Sequence, residues 1–125
     1  MFDNGNFVRV MQGLSHTRAN RWHGGNFRNW TGLEWAGAMC GEAGETANVA
    51  KKLRRIELAI DGNARSDRQL DEAELLLQLR KELADTFLYS VLLAEYYGVD
   101  MANAIAETFN AKSIAMGFPE RVETW

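Results

Sequence analysis

The sequence predicts an all-α protein, a bundle of four or five helices in which two long antiparallel helices face each other. Three observations carry that expectation. Apolar residues recur at helical spacing through three long segments, and no stretch alternates with the period of a strand. The one proline of the 125 residues, Pro119, stands almost at the end, so no ring interrupts a helix interior. Glycine and capping residues fall between the periodic segments, where helices should stop and start. A chain of this length is expected to form a single domain, 1–125, with its own core.

Taken in order, Asn6 to Trp22 is the first helix, with Phe7, Met11, Leu14, Arg18 and Trp22 as its stripe and Gly13 weakening it. His23-Gly24-Gly25-Asn26 reads as a helix stop and loop, followed by Phe27 to Trp30. A phosphate-cradling loop would need a strand before it and a helix directly after, and neither is present. Thr31-Gly32-Leu33-Glu34 has the form of a capping box, so a second helix starts there and runs to about Leu58. Its inner stripe is Trp35, Ala38, Glu42, Glu45, Val49 and Lys52. Gly37, Gly41 and Gly44 each cost ~1 kcal/mol against Ala in a helix interior, which suggests close approach of another helix or a ligand.

Asp61-Gly62-Asn63 should end this helix, and Ala64 to Arg68 connect it onward. The third helix begins at Ser66-Asp67-Arg68-Gln69 or at Asp71-Glu72-Ala73-Glu74, both capping signatures, and stops at Tyr97 before Gly98. Its stripe is Leu75, Gln78, Glu82, Asp85, Tyr89, Leu92 and Tyr96. From Leu83 to Tyr97 only Asp85 and Glu95 are charged, so protein should surround this helix almost completely. Asp100 caps a last helix, Met101 to about Met116, ended by Gly117 and Pro119.

Several classes of function are disfavoured. The net charge is −3, and the one basic cluster, Lys51, Lys52, Arg54 and Arg55, is too small for duplex nucleic acid, though it suits one polyphosphate. No apolar run approaches the ~18 residues of a membrane span, and Met1-Phe2-Asp3-Asn4 does not open a signal peptide. A single cysteine, Cys40, makes neither a disulfide framework nor a multi-cysteine zinc site. It has no neighbour to activate it and reads as a packing residue. The expected setting is a reducing cytoplasm.

The informative feature is acidic. Glu42 and Glu45 lie three residues apart on one stripe, and Glu82 and Asp85 repeat the spacing on another. Either pair alone would ordinarily be a solvated face. Together they share stripes with apolar residues, and burying unpaired carboxylates costs several kcal/mol. Glu42 has no basic residue three or four positions away, and Lys81 can serve one group at most. A divalent cation is the simplest way to neutralise the four charges, and all-oxygen ligation suits Mg²⁺ or Mn²⁺ rather than zinc. A di-iron site would need Glu-x-x-His, and the histidines, His16 and His23, stand far from both pairs in the sequence.

The run Trp35-Ala36-Gly37-Ala38-Met39-Cys40-Gly41-Glu42-Ala43-Gly44-Glu45-Thr46-Ala47-Asn48-Val49-Ala50-Lys51-Lys52-Leu53, followed by Glu82-Leu83-Ala84-Asp85, resembles the MazG-like all-α nucleoside triphosphate pyrophosphohydrolases. Phe109-Asn110-Ala111-Lys112-Ser113 and Gly117-Phe118-Pro119-Glu120-Arg121 resemble the tail of its short, single-domain, often phage-borne members. The likeness spans about residues 20 to 121. In that family an E-E-x-x-E motif followed by E-x-x-D binds Mg²⁺, which implies Glu42, Glu45, Glu82 and Asp85 as ligands here. Gly41 stands where the motif has its first glutamate, and the segment between the motifs, Ile56 to Leu79, is longer than is common, as extended helix or an interface element.

The resemblance further implies phosphate contacts from Asn110 and Lys112, although an arginine common a few residues later is replaced at Ala115 and Met116. Lys52, on the acidic stripe, is a third candidate. Relatives bind the base before the first acidic pair, where this chain has Trp22, Trp30 and Trp35. Trp30 and Trp35 are the candidates for stacking on it, with core packing the competing role for each. The expected activity is Mg²⁺-dependent hydrolysis of a ribo- or deoxyribonucleoside triphosphate to the monophosphate and pyrophosphate, Mn²⁺ substituting, with Glu45 orienting the water. A homodimer or dimer of dimers is expected, because relatives assemble so and the central helices are strongly apolar. Two alternatives stand beside this: a phosphoribosyl-ATP pyrophosphohydrolase-like enzyme, and a non-enzymatic helical module whose acidic pairs hold a regulatory cation or a basic partner.

Overall fold

A computed structural model describes residues 4–60 and 71–123, with the side chains from Phe7 onward. The chain is all-helical over these residues: α1 (Asn4–Trp22), α2 (Gly32–Glu57), α3 (Glu72–Tyr96) and α4 (Met101–Met116), with a single 3₁₀ turn, Phe27–Asn29, between α1 and α2. The expected stop at Asp61-Gly62-Asn63, the connection after it and the alternative start at Ser66 lie outside the described residues. No described helix is long and apolar enough to cross a membrane.

The helix ends follow local chemistry. Thr31 donates its backbone N–H to the Glu34 carboxylate at 2.6 Å, one arm of the capping box. Asp71 is the N-cap of α3 and makes both arms, accepting from Glu74 N–H at 2.8 Å and donating to its carboxylate at 3.2 Å. Asp100 caps α4 through Asn103 N–H. At the end of α1 the chain turns through Gly24 at φ 66° and Gly25 at φ 100°, left-handed backbone that a side chain would strain. Asn20 then accepts from Phe27 N–H at 2.7 Å and holds the 3₁₀ turn against α1.

α2 and α3 pack along their lengths and run antiparallel. Gly32 meets Tyr97, Trp35 packs near Tyr89 and Leu92, and Glu42 meets Glu82, so numbers rise on one helix as they fall on the other. A Cβ at Gly32 would collide with the Tyr97 ring, which is the close approach that glycine permits there. α1 lies across the far half of α3, also antiparallel: Arg9 pairs with Asp100 at 3.0 Å and His16 with Glu95 at 3.0 Å. α4 packs on α1.

Four sequence expectations change. The face α1 buries is Gln12, Ser15 and Ala19, while Phe7, Leu14 and Trp22 of the expected stripe are exposed. Polar bonding makes this possible, since Gln12 donates to Val99 C=O at 2.7 Å and accepts from Met101 N–H at 3.1 Å, joining α1 to the α3–α4 turn. Among the described residues Gly37, Gly41 and Gly44 do not answer a close approach, because a Cβ at each would meet nothing within 4 Å. α3 is enclosed at Val91, Leu92 and Ala94 but leaves Leu83 and Tyr97 exposed, because α1 and α2 cover only part of it. Cys40 is exposed rather than packed.

Candidate metal centre and adjoining cavity

The stripes of α2 and α3 meet about two turns beyond Trp35, where carboxylate oxygens of Glu42, Glu45 and Glu82 come within 4.8 Å of one another. Glu45 is exposed, while Glu42 and Glu82 are half-buried. Three like charges this close repel, which favours a proton on one of them. The Glu42 carboxyl is pushed up to about 7, by its hydrogen bond to Glu82 first, then by burial and by the charges of Glu45, Glu82 and Asp85. Glu82 moves the other way: the hydrogen bond from Glu42, then that with Glu45 and the charge of Lys81, hold its carboxyl below the usual range.

Glu42 Oε2 and Glu82 Oε2 are both buried, and neither accepts a hydrogen bond from an N–H or hydroxyl of the described residues. A buried carboxylate oxygen without a partner is costly, and an oxygen-seeking cation would relieve it. The donor set of three carboxylates therefore fits a hard divalent ion. Asp85 is not in the trio. Lys81 holds it at 2.7 Å and also reaches Glu82 at 3.7 Å, so Lys81 serves two carboxylates where the sequence suggested one.

Beside the trio opens a cavity of about 390 Å³, to which Glu42 and Asp85 contribute one end. Its middle is aromatic. His23, Trp30 and Trp35 form a mutual cluster, with centroids 5.1 Å apart for His23–Trp30, 5.2 Å for His23–Trp35 and 4.8 Å for Trp30–Trp35. Trp35 is 2% exposed and belongs to the core with Ala19, Phe27 and Leu92. Trp30 is 36% exposed and Trp22, at 80%, stands on the rim.

Compared with protein-family models, curated proteins and solved structures, the chain matches none. The arrangement of side chains is therefore what a functional reading stands on.

The structure brings Glu42, Glu45, Glu82, Asp85, Trp30 and Trp35 to one region and leaves the other candidates apart. Lys52 is half-buried farther along α2 and does not line the cavity. Asn110 uses its side chain to clamp the C-terminal segment, donating to Val122 C=O and accepting from Val122 N–H, both at 2.7 Å. Lys112 is exposed on α4, and neither lines the cavity. Three contributors escaped the sequence reading. His23, distant from the acidic pairs in sequence, shares the cavity with Glu42 and Asp85; Ser15 and Arg18 line it from α1. Only the crossing of α1 over α3 brings them there, and no local pattern announces it.

Proposed function

We propose that the protein is a Mg²⁺-dependent nucleotide pyrophosphohydrolase, converting a nucleoside triphosphate to the monophosphate and pyrophosphate. The observation that carries this reading is the juxtaposition of an oxygen-only acidic trio, two of its oxygens buried without partners, with an aromatic cavity. An ion held by Glu42, Glu45 and Glu82 would supply charge neutralisation for the polyphosphate. The aromatic rings offer faces for a base, with Trp30 the accessible one and Trp35 the buried wall behind it. Glu45, the solvent-facing member of the trio, is suited to accept a proton from the attacking water. Asp85, at the cavity end, becomes a further ligand when Lys81 releases it. Asn110, Lys112 and Lys52 enter the proposal only if a second copy or a bound nucleotide brings them near. A homodimer or dimer of dimers would also cover Leu76, Leu77 and Leu83, exposed on α3.

The test is pyrophosphate release from the standard and modified triphosphates with Mg²⁺, with Mn²⁺, and in excess chelator. Metal-dependent release of pyrophosphate and monophosphate is the expected result. Release undiminished by chelator, or none from any nucleotide under metal, would sink the reading. Purified protein that binds a cation without turnover would favour the helical interaction module.

A further inference from the structure

Ser15 differs from the threonines of α1, α2 and α3. Thr17, Thr46 and Thr86 each return the hydroxyl to the carbonyl four residues back, at 3.1, 2.9 and 2.7 Å. Ser15 is 2% exposed, and its Oγ has no hydrogen-bond partner among the described residues. The indole Nε1 of Trp35 is likewise buried and unpaired. Buried polar groups are nearly always satisfied, so two orphans call for an explanation. Both residues line the same cavity.

Helix pairing sets the order along that cavity. α1 runs antiparallel to α3 with His16 at the level of Glu95, whereas Asp85 stands ten positions back along α3. At the helical rise this separates the Ser15 end from the carboxylate end by about 15 Å. Carboxylates occupy one end, the aromatic cluster the middle, and Ser15 with Arg18 the other. A nucleotide whose phosphates lie at the carboxylates and whose base lies among the rings would turn the base edge farthest from its phosphates toward Ser15.

We propose that Ser15 and Trp35 read that edge, and that the cavity selects a keto base, one presenting a carbonyl oxygen, over an amino base. This rests on the reading above that the cavity receives the base of a nucleotide. The indole N–H and the Arg18 guanidinium can only donate, while the serine hydroxyl can donate or accept. A base carbonyl accepts from such a set. An amino group in the same place sets donor against donor at the indole and the guanidinium, and the serine hydroxyl alone can turn to accept from it.

The test uses monophosphates in metal-free buffer, read by calorimetry and tryptophan fluorescence, so that it does not depend on hydrolysis. The pairs are dUMP against dCMP and dIMP against dAMP, each differing in one exocyclic keto or amino group and in the proton of the ring nitrogen beside it. In any pair that binds, the keto member should bind tighter by about tenfold. Ser15→Ala should weaken binding of the keto members severalfold with little change in melting temperature, and Ser15→Thr, which keeps the hydroxyl, should retain most of that binding. Trp35→Phe, which keeps a ring and removes the donor-only indole N–H, should shrink the keto-to-amino ratio severalfold. Equal binding within the pairs, an amino preference, or no binding of any of the four overturns the proposal. Keto binding unchanged in Ser15→Ala overturns the assignment to Ser15, and a ratio unchanged in Trp35→Phe overturns the assignment to Trp35. Pyrophosphate release is scored separately: keto preference without release leaves this inference standing and removes the hydrolase, and release without preference does the reverse.

Discussion

The α2–α3 pair is two different interfaces laid end to end. At one end Gly32 admits the Tyr97 ring and Trp35 is sealed against Leu92, with α1 and the 3₁₀ turn closing over them. At the other end the same two helices bring Glu42, Glu45 and Glu82 together, and Leu76 and Leu77 beyond them face solvent. The difference is a third helix. α1 follows α3 back from Asp100 and stops at Trp22, where Gly24 and Gly25 turn the chain away. Where three elements meet, Phe27, Trp35 and Leu92 are sealed off. Where only α2 and α3 meet among the described residues, carboxylates sit alongside the buried Val49 and Leu75, and the cavity forms at the step between the two. The length of α1 thereby places an aromatic wall beside an acidic one.

The largest effect that would test this division is at the acidic end. Glu82→Gln keeps the volume and removes one charge, so metal-free stability should equal or exceed that of the parent. Thermal stabilisation by Mg²⁺ should vanish, and metal-dependent pyrophosphate release should fall by roughly 10²-fold. Asp85→Asn should lose activity in the same direction. A Glu82→Gln protein that melts far lower without metal yet still turns over nucleotide would make Glu82 a structural partner, and the acidic end would not be a metal centre.

At the apolar end the two neighbouring tryptophans should part. Trp35→Ala removes a core ring and should cost ~3–5 kcal/mol in denaturant unfolding. Trp30→Ala removes a half-open ring, should cost no more than ~1 kcal/mol, and should raise KM with kcat little changed. Equal losses of stability in the two variants would erase the distinction between wall and lining.

A smaller effect is set by pH. Glu42 keeps its proton up to about 7 in the folded protein, against 4.5 as its ordinary value. The folded state therefore binds a proton that the unfolded chain has released. Glu42 thus contributes stability that is full below about 4.5 and is lost as pH rises through about 7. Glu82 and Asp100, both held low, act in the opposite sense and only at acid pH, below their ordinary values of 4.5 and 3.8. Between pH 5 and 8 the metal-free protein should lose a few degrees of Tm, about what 1 kcal/mol produces in a domain this size. Mg²⁺ should restore it at pH 8, and Glu42→Gln should flatten the profile. A Tm that rises over that interval would contradict the shared proton. The smallest effect belongs to Glu57→Gln, an exposed partner of Arg54, which should leave Tm and turnover unchanged.

The sequence by itself determined what is local. Capping boxes at Thr31 and Asp71, the cap at Asp100 and the stop at Gly98 place helix ends through hydrogen bonds within a few residues, which is why α2, α4 and the end of α3 were legible almost to the residue, while two capping signatures left the start of α3 between Ser66 and Asp71. The acidic spacing was legible for the same reason, since residues three apart share a helix face whatever surrounds the helix. What only the tertiary structure decided is which faces are covered and what lies across from them. α1 has more apolar residues on the side it exposes than on the side it buries, because Gln12 finds partners on Val99 and Met101, and no periodicity in its own sequence reveals those bonds. The openness of Gly37, Gly41 and Gly44, the engagement of Asn110 with Val122, and the convergence of Ser15 and His23 on the cavity all depend on partners far away in the chain. Hydrogen bonds close over a few residues and can be read from spacing; burial and long-range pairing depend on how the helices cross.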